Sequence, residues 1–153
     1  MVNLALLIAL CAPAIEPSTA RAVILHESGG NPYAIHINGS VRLSRQPVSY
    51  AQAVATASAL VGKGYSIDVG LAQINSRNLP RLGLSVAQAF NPCVNLQAMQ
   101  AILVPDYLEQ VRRLGPGQPA LQAALSEYNT GNPLGGFANG YVASVYQVAF
   151  RRQ

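Results

Sequence analysis

The chain has 153 residues, half of them apolar, which is enough for one compact domain, expected over residues 1–153. Only 10% of the residues are charged, and ten Lys and Arg against six Asp and Glu leave a net charge of +4, which favours an anionic partner. The cations are scattered and no basic stripe is interleaved with aromatic residues, which argues against nucleic acid.

The first segment, residues 1–14, is apolar and ends in small residues, as a signal peptide does. No positive residue precedes the apolar run, however, so no export signal is evident. The run over residues 4–10 is also far shorter than the roughly 20 residues that span a bilayer. We therefore expect no integral membrane segment and interpret this stretch as a first, buried helix.

The next helix is predicted over residues 20–28, because a Pro-Ser-Thr cap precedes it and two glycines follow it. Glu27 then lies in the last turn, beside the apolar face formed by Val23 and Ile24. Burial and the negative end of the helix dipole both disfavour a charged carboxylate there. We expect the pKa of Glu27 to be raised.

The remaining elements follow from turn signals and apolar periodicity. Asn38-Gly39 between two short alternating runs predicts a small hairpin or flap. Further helices are predicted over residues 49–60, from Ser85, over residues 91–114 with a kink or break at Pro105, and over residues 118–128 and 141–152, whereas residues 66–75 and 129–136 read as loops. The fold class is mainly α with a small β-hairpin.

The two cysteines, Cys11 and Cys93, are 82 positions apart, which excludes a CxxC redox pair and the local spacing of a metal site. One long-range disulfide and two buried thiols both remain open from the sequence.

Three of the six acidic residues, Glu27, Asp68 and Glu127, lie in segments rich in the polar residues that line ligand clefts. A glycosidase needs a carboxylic acid to protonate the leaving oxygen, and usually a second carboxylate as nucleophile or base. Asp68 also suits a turn-capping role. Glu127 either points to solvent or faces the cleft, where it would supply a base for water.

Three segments in this order resemble the soluble lytic transglycosylase family: residues 26–35 (HESGGNPYAI), 68–75 (DVGLAQIN) and 124–132 (ALSEYNTGN). With residues 11–13 (CAP) and 91–96 (NPCVNL), the chain is most similar to the small transglycosylases of type IV secretion and conjugation systems. The resemblance implies a goose-lysozyme-like fold and a disulfide between Cys11 and Cys93.

The resemblance also implies that Glu27 is the single catalytic carboxylate. It would cleave the bond between N-acetylmuramic acid and N-acetylglucosamine and leave a 1,6-anhydro end, without a metal or an organic cofactor. Ser28 would bond Glu27 or the muramic peptide arm, and the residues expected to line the glycan cleft are Gln73, Asn75, Tyr128 and Asn129. Glu127 departs from the small or apolar residue expected at its position.

The implied setting is the periplasm, where a monomer would open peptidoglycan locally for a secretion or conjugation apparatus and contact the proteins of that apparatus. Three alternatives remain. A muramidase that uses water would be distinguished by its products, and a non-catalytic wall-binding module for assembly by an unchanged role after Glu27→Gln. A phage-borne lysis or wall-entry enzyme would share the transglycosylase chemistry.

Overall fold

The computed structural model describes residues 3–151 and is mainly helical with a small antiparallel sheet, which confirms the predicted fold class. The strands are β1 (Ile35–Ile37), β2 (Ile67–Val69) and β3 (Ile74–Asn75). The helices are α1 (Leu4–Cys11), α2 (Pro17–Ser28), α3 (Tyr50–Gly62), α4 (Leu79–Leu82), α5 (Val86–Ala89), α6 (Pro92–Leu114), α7 (Gln118–Thr130), α8 (Gly135–Ala138) and α9 (Tyr141–Phe150).

Helix α2 carries Glu27 and ends where the sequence predicted. Its N-cap is Glu16, whose carboxylate accepts a hydrogen bond from the Thr19 N–H, and Pro17 occupies the first turn. The helix therefore begins three residues earlier than predicted. Gly29 ends it in the left-handed conformation with φ of 64°.

The hydrophobic core lies between α2, α6, α7 and the sheet. Helix α6 packs along α7, and α2 packs against α9. The largest fully buried apolar side chains include Ile24, Phe90, Leu96, Met99 and Leu125. Close packing of these groups from separate helices fixes the end of α2 relative to α7 and the sheet.

The prediction of a hairpin at Asn38-Gly39 is wrong. Strand β1 pairs with β2, with Ile35 opposite Val69, and β2 pairs with β3. The hairpin is thus β2–β3, in the segment that was predicted as a loop. Residues 40–46 contribute mostly exposed side chains, whereas Ile67, Val69 and Ile74 are buried, so burial decides which segments pair.

Helix α1 is confirmed as a helix, but it is buried on one side only. Ile8 and Cys11 face the core, whereas Leu6 and Leu10 are 56% and 69% exposed. Met1, at the start of the predicted stretch, lies outside the described residues. Between residues 3 and 151, no helix combines the length and the apolarity that crossing a bilayer requires.

The later helices agree with the prediction to within two residues at their ends, apart from three points. Helix α6 continues through Pro105, so the chain does not break there; Pro105 is on the exposed side while its neighbour Leu103 packs in the core. The four-residue helices α4 and α8 were missed because they are too short for a periodic pattern. Helix α9 ends at Phe150, and Arg152 of the predicted helix lies outside the described residues.

Cys11 and Cys93 form a disulfide that joins the end of α1 to the first turn of α6. Its sequence separation of 82 closes a long loop. We expect the double variant Cys11→Ser, Cys93→Ser to lose about 3 kcal/mol of unfolding free energy, because the unfolded chain regains the entropy of that loop. Urea unfolding of the oxidised protein and the double variant tests this, and superimposable curves would contradict it.

Candidate active site

Glu27 lines a cleft of about 510 Å³ between the sheet and helices α6 and α7. Among the residues that line it are Glu27, Ser66, Asp68, Gln73, Asn75, Arg77, Arg81, Asp106, Glu127, Tyr128 and Asn129. The cleft is rich in side chains that donate and accept hydrogen bonds, as expected for a polar ligand.

The carboxyl group of Glu27 titrates near neutrality. Burial raises its pKa to about 7, against an opposing hydrogen bond from Tyr141 and with a further increase from the negative charge of Asp68. Burial disfavours the charged form of a carboxyl group, so Glu27 holds its proton at pH values where an exposed glutamate has lost it. The raised pKa confirms the expectation from its place at the end of α2.

Tyr141 is a site residue that the sequence did not reveal. Its hydroxyl donates a hydrogen bond of 2.7 Å to Glu27 Oε1, and the ring of His26 meets its ring edge-on, with the centroids 5.0 Å apart. Tyr141 is the first residue of α9 and lies 114 positions from Glu27. Its pattern in the sequence, an aromatic residue after Asn139-Gly140, indicates only the start of a helix.

We expect Tyr141→Phe to raise the pKa of Glu27 further, because the phenol stabilises the carboxylate and the ring of Phe cannot. The measurement is a titration of the Glu27 carboxyl carbon by NMR in both proteins. Tyr146→Phe is the matched control, since its hydroxyl bonds Gln118 away from the cleft. A Glu27 titration unchanged by Tyr141→Phe would contradict this reading of the hydrogen bond.

The turn over residues 70–73 is held by side chains from three helices. The Ser28 hydroxyl donates to the Leu71 carbonyl at 2.7 Å, and the Tyr128 hydroxyl donates to the Ala72 carbonyl at 2.7 Å. Asn95, only 1% exposed, accepts from the Ala72 N–H at 2.8 Å. The turn is therefore fixed relative to Glu27, which neighbours Ser28 in the chain.

Gln73, the last residue of this turn, has a positive φ of 52°. Among residues 3–151 it is the only residue other than glycine with a positive φ. Its Nε2 donates to the carbonyls of Ala34 and Gly70 at 3.1 and 3.0 Å. Both amide hydrogens are thereby used, so the side-chain oxygen is the group left for the cleft. Gln73 can accept a hydrogen bond from a ligand hydroxyl or amide.

Asn75 lines the cleft, but its polar atoms are engaged within the protein. Its Nδ2 donates to Asp68 Oδ1 at 2.7 Å and to Ser66 Oγ at 2.9 Å, and its oxygen accepts from the Arg77 N–H at 3.0 Å. This arrangement fixes the carboxylate of Asp68 on the cleft side of β2. Asn75 orients Asp68 through this bond.

Tyr128 and Asn129, at the end of α7, form part of the opposite wall. The Tyr128 phenol is deeply buried, which raises its pKa and keeps it protonated. Asn129 accepts a hydrogen bond of 2.8 Å from Asn139, so its own amide hydrogens stay available. Ser28 instead lies outside the cleft lining and donates to the Leu71 carbonyl rather than to Glu27.

Glu127 faces the cleft, so of the two placements left open by the sequence the solvent-facing one is wrong. Its carboxylate accepts a hydrogen bond from the buried Gln110 amide. Burial and the neighbouring Glu127 carboxylate raise the pKa of Asp106 to about 6, and Arg81 opposes this shift. Glu127 thus raises the pKa of Asp106, whereas the carboxylate that raises the pKa of Glu27 is Asp68.

Comparison with known proteins identifies the family of the chain. The family profile described as the transglycosylase SLT domain matches residues 6–144. The chain belongs to the transglycosylase SLT domain family. No solved structure matches it with statistical significance.

Curated relatives of this SLT domain include type IV secretion system protein virB1 of Brucella abortus, which is 46% identical over 90% of the chain and 58% of the relative. Protein virB1 of Rhizobium radiobacter is 39% identical over 91% of the chain and 57% of the relative. Protein virB1 of Agrobacterium fabrum is 38% identical over 91% and 56%. The chain spans somewhat more than half the length of these relatives.

The SLT fold thus brings most of the predicted site residues to one cleft: Glu27, Gln73, Asn75, Tyr128 and Asn129 all line it. Ser28 is at the edge of the site and supports the turn. Within residues 3–151, His, Cys, Asp and Glu form no group of three that could hold a metal ion.

Proposed function

We propose that the protein is a peptidoglycan lytic transglycosylase in which Glu27 acts first as acid and then as base. The observation that carries the proposal is the protonatable carboxyl group of Glu27, with its pKa near 7, in a polar cleft of an SLT domain. A group with this pKa can give and take a proton near neutral pH.

In the first step, protonated Glu27 donates its proton to the glycosidic oxygen between N-acetylmuramic acid and N-acetylglucosamine. The bond from that oxygen to the anomeric carbon breaks, and the acetamido group of the muramic residue assists. Tyr141 donates to the Glu27 carboxylate that is left, and so stabilises it.

In the second step, the Glu27 carboxylate removes the proton from the C6 hydroxyl of the muramic residue. The C6 oxygen then bonds to the anomeric carbon and forms the 1,6-anhydro ring. Glu27 regains its proton, so the enzyme is unchanged and neither water nor a cofactor is consumed.

A hydrolytic muramidase is the second candidate, and Asp68 is the observation that favours it. This carboxylate is in the same cleft, is oriented by Asn75 and is close enough to raise the pKa of Glu27. A water held by Asp68 would attack the anomeric carbon in place of the C6 hydroxyl. Asp68 therefore replaces Glu127 as the carboxylate that would serve as base.

The setting we propose is wall opening for a type IV secretion or conjugation apparatus. The support is the sequence identity to virB1 proteins, whose Brucella members are named as type IV secretion system proteins. We propose further that residues 1–153 form one domain, which acts as a monomer in the periplasm and meets apparatus proteins beside peptidoglycan.

The test is mass spectrometry of the sugars released from purified peptidoglycan by the protein, by Glu27→Gln and by Asp68→Asn. Anhydro-muramic ends made by the unmutated protein and by Asp68→Asn, but not by Glu27→Gln, support the transglycosylase. Reducing ends that disappear in Asp68→Asn would establish the muramidase. Binding without cleavage by the unmutated protein would leave the wall-binding module.

A further inference from the structure

One end of the cleft carries opposite charges from three different elements. Arg81 comes from α4, Asp106 from α6 and Glu127 from α7, and all three line the cleft. We call these three residues the charged end. It is separate from the Glu27 chemistry, since the carboxylate beside Glu27 is Asp68.

The two carboxyl groups of the charged end line the same part of the cleft and interact. Burial, and after it the neighbouring Glu127 carboxylate, raise the pKa of Asp106 to about 6. Gln110, 2% exposed and one helical turn after Asp106, donates to Glu127 and fixes it. Above pH 6 Asp106 is ionised, and a ligand cation would compensate its negative charge beside Glu127.

Arg81 supplies the positive charge of the charged end. It is exposed and lowers the pKa of Asp106 through its charge, but it forms no close ion pair with it. Within residues 3–151, one ion pair is closer than 4 Å, and it joins Arg112 to Glu109. The guanidinium of Arg81 is therefore available to a ligand carboxylate, which it can hold by two parallel hydrogen bonds.

We propose that the charged end binds a zwitterionic α-amino acid group of a peptide attached to the glycan, with Arg81 on its carboxylate and Asp106 and Glu127 on its ammonium. The inference rests on the proposed function and specifies its substrate: glycan strands whose peptide stems end in a free α-amino acid group, such as the side chain of a diamino acid.

The charged end and an α-amino acid group match in the signs of their charges and in how these charges are arranged. An α-amino acid group holds an ammonium and a carboxylate on one carbon, so it needs an acidic and a basic partner side by side, which this end of the cleft provides. A neutral sugar would leave the two adjacent carboxylates uncompensated. The ammonium binds the ionised form of Asp106, and binding should therefore strengthen as the pH rises through about 6.

The test measures binding by calorimetry on the Glu27→Gln background, which prevents turnover. Four soluble glycan fragments are compared: one without peptide, one with a stem that ends in a diamino acid, and two in which that diamino acid is N-acetylated or amidated at its carboxyl group. We expect about tenfold tighter binding of the unmodified stem fragment than of the other three, since each modification removes one charge-assisted contact.

Arg81→Gln should abolish the preference over the amidated fragment, and Asp106→Asn the preference over the N-acetylated one. Arg113→Gln is the control, since it removes one exposed positive charge outside the cleft. Equal affinity for all four fragments, or preferences that survive in Arg81→Gln, would overturn the inference while cleavage of peptide-free glycan still supports the proposed function. If no glycan is bound or cleaved, both fail.

Discussion

Glu27→Gln is expected to reduce the rate of glycan cleavage by about 10³-fold, because the amide can neither donate a proton to the leaving oxygen nor accept one from the C6 hydroxyl. Asn129→Ala is a useful comparison, since it removes a cleft amide without removing the acid. We expect that variant to weaken binding and to keep most of the rate. Turnover of a soluble muropeptide by Glu27→Gln within tenfold of the unmutated protein would rule out the proposed mechanism.

Glu27 also sets the pH dependence of glycan cleavage. With its pKa at about 7, the protonated form that starts the reaction is lost as the pH rises above 7. The rate constant kcat/KM should therefore fall tenfold per pH unit on the alkaline side. A profile that is flat between pH 7 and 9 would exclude Glu27 as the acid.

Glu27→Gln should also stabilise the protein at alkaline pH. The folded-state pKa is raised from 4.5 to about 7, so the stabilising effect of the bound proton is complete below pH 4.5 and is lost as the pH rises through 7. The buried amide does not ionise and has no such loss. Above pH 7 the stability of the variant relative to the unmutated protein should therefore be about 3 kcal/mol higher than at pH 4. Urea unfolding at the two pH values measures this gain.

The local part of the site could be predicted from the sequence. The end of α2 at Glu27 is specified by neighbouring residues, a run of helix formers followed by two glycines. The direction of the pKa shift of Glu27 could be expected from its place beside the apolar face of α2, although the burial that causes most of the shift comes from tertiary packing. The helix starts at Ser49, Ser85 and Asn91 are also local, because each side chain caps the following turn.

The parts that were missed depend on contacts between distant residues. Pairing of β1 with β2 joins positions 30 or more apart in the sequence, whereas the Asn38-Gly39 signal is local and points to the wrong pairing. Tyr141 reaches Glu27 only because α9 packs against α2. Asp106 and Glu127 likewise line the same cleft because α6 packs along α7, which no spacing within either helix encodes.

Gly70→Ala is expected to cost about 4 kcal/mol of unfolding free energy, since both the backbone and the neighbouring side chain reject a Cβ atom. Gly70 has φ of 79°, and an added Cβ would lie 2.3 Å from Nδ2 and 2.9 Å from Cγ of Asn95. The Asn95 side chain cannot move away without breaking buried hydrogen bonds. Its Nδ2 donates to the carbonyls of Val69 and Ala89 at 3.0 and 2.9 Å, and its oxygen accepts from the Ala72 N–H.

The matched control for that prediction is Gly64→Ala, because Gly64 has φ of 87° and open space around its would-be Cβ. It should cost only about 1 kcal/mol, the strain of a left-handed alanine. The double variant Gly70→Ala, Asn95→Ala should lose less stability than the sum of the two single variants, since truncating Asn95 removes the collision. Additive losses, or equal losses at Gly70 and Gly64, would show that Asn95 does not hold the turn that carries Gln73 into the cleft.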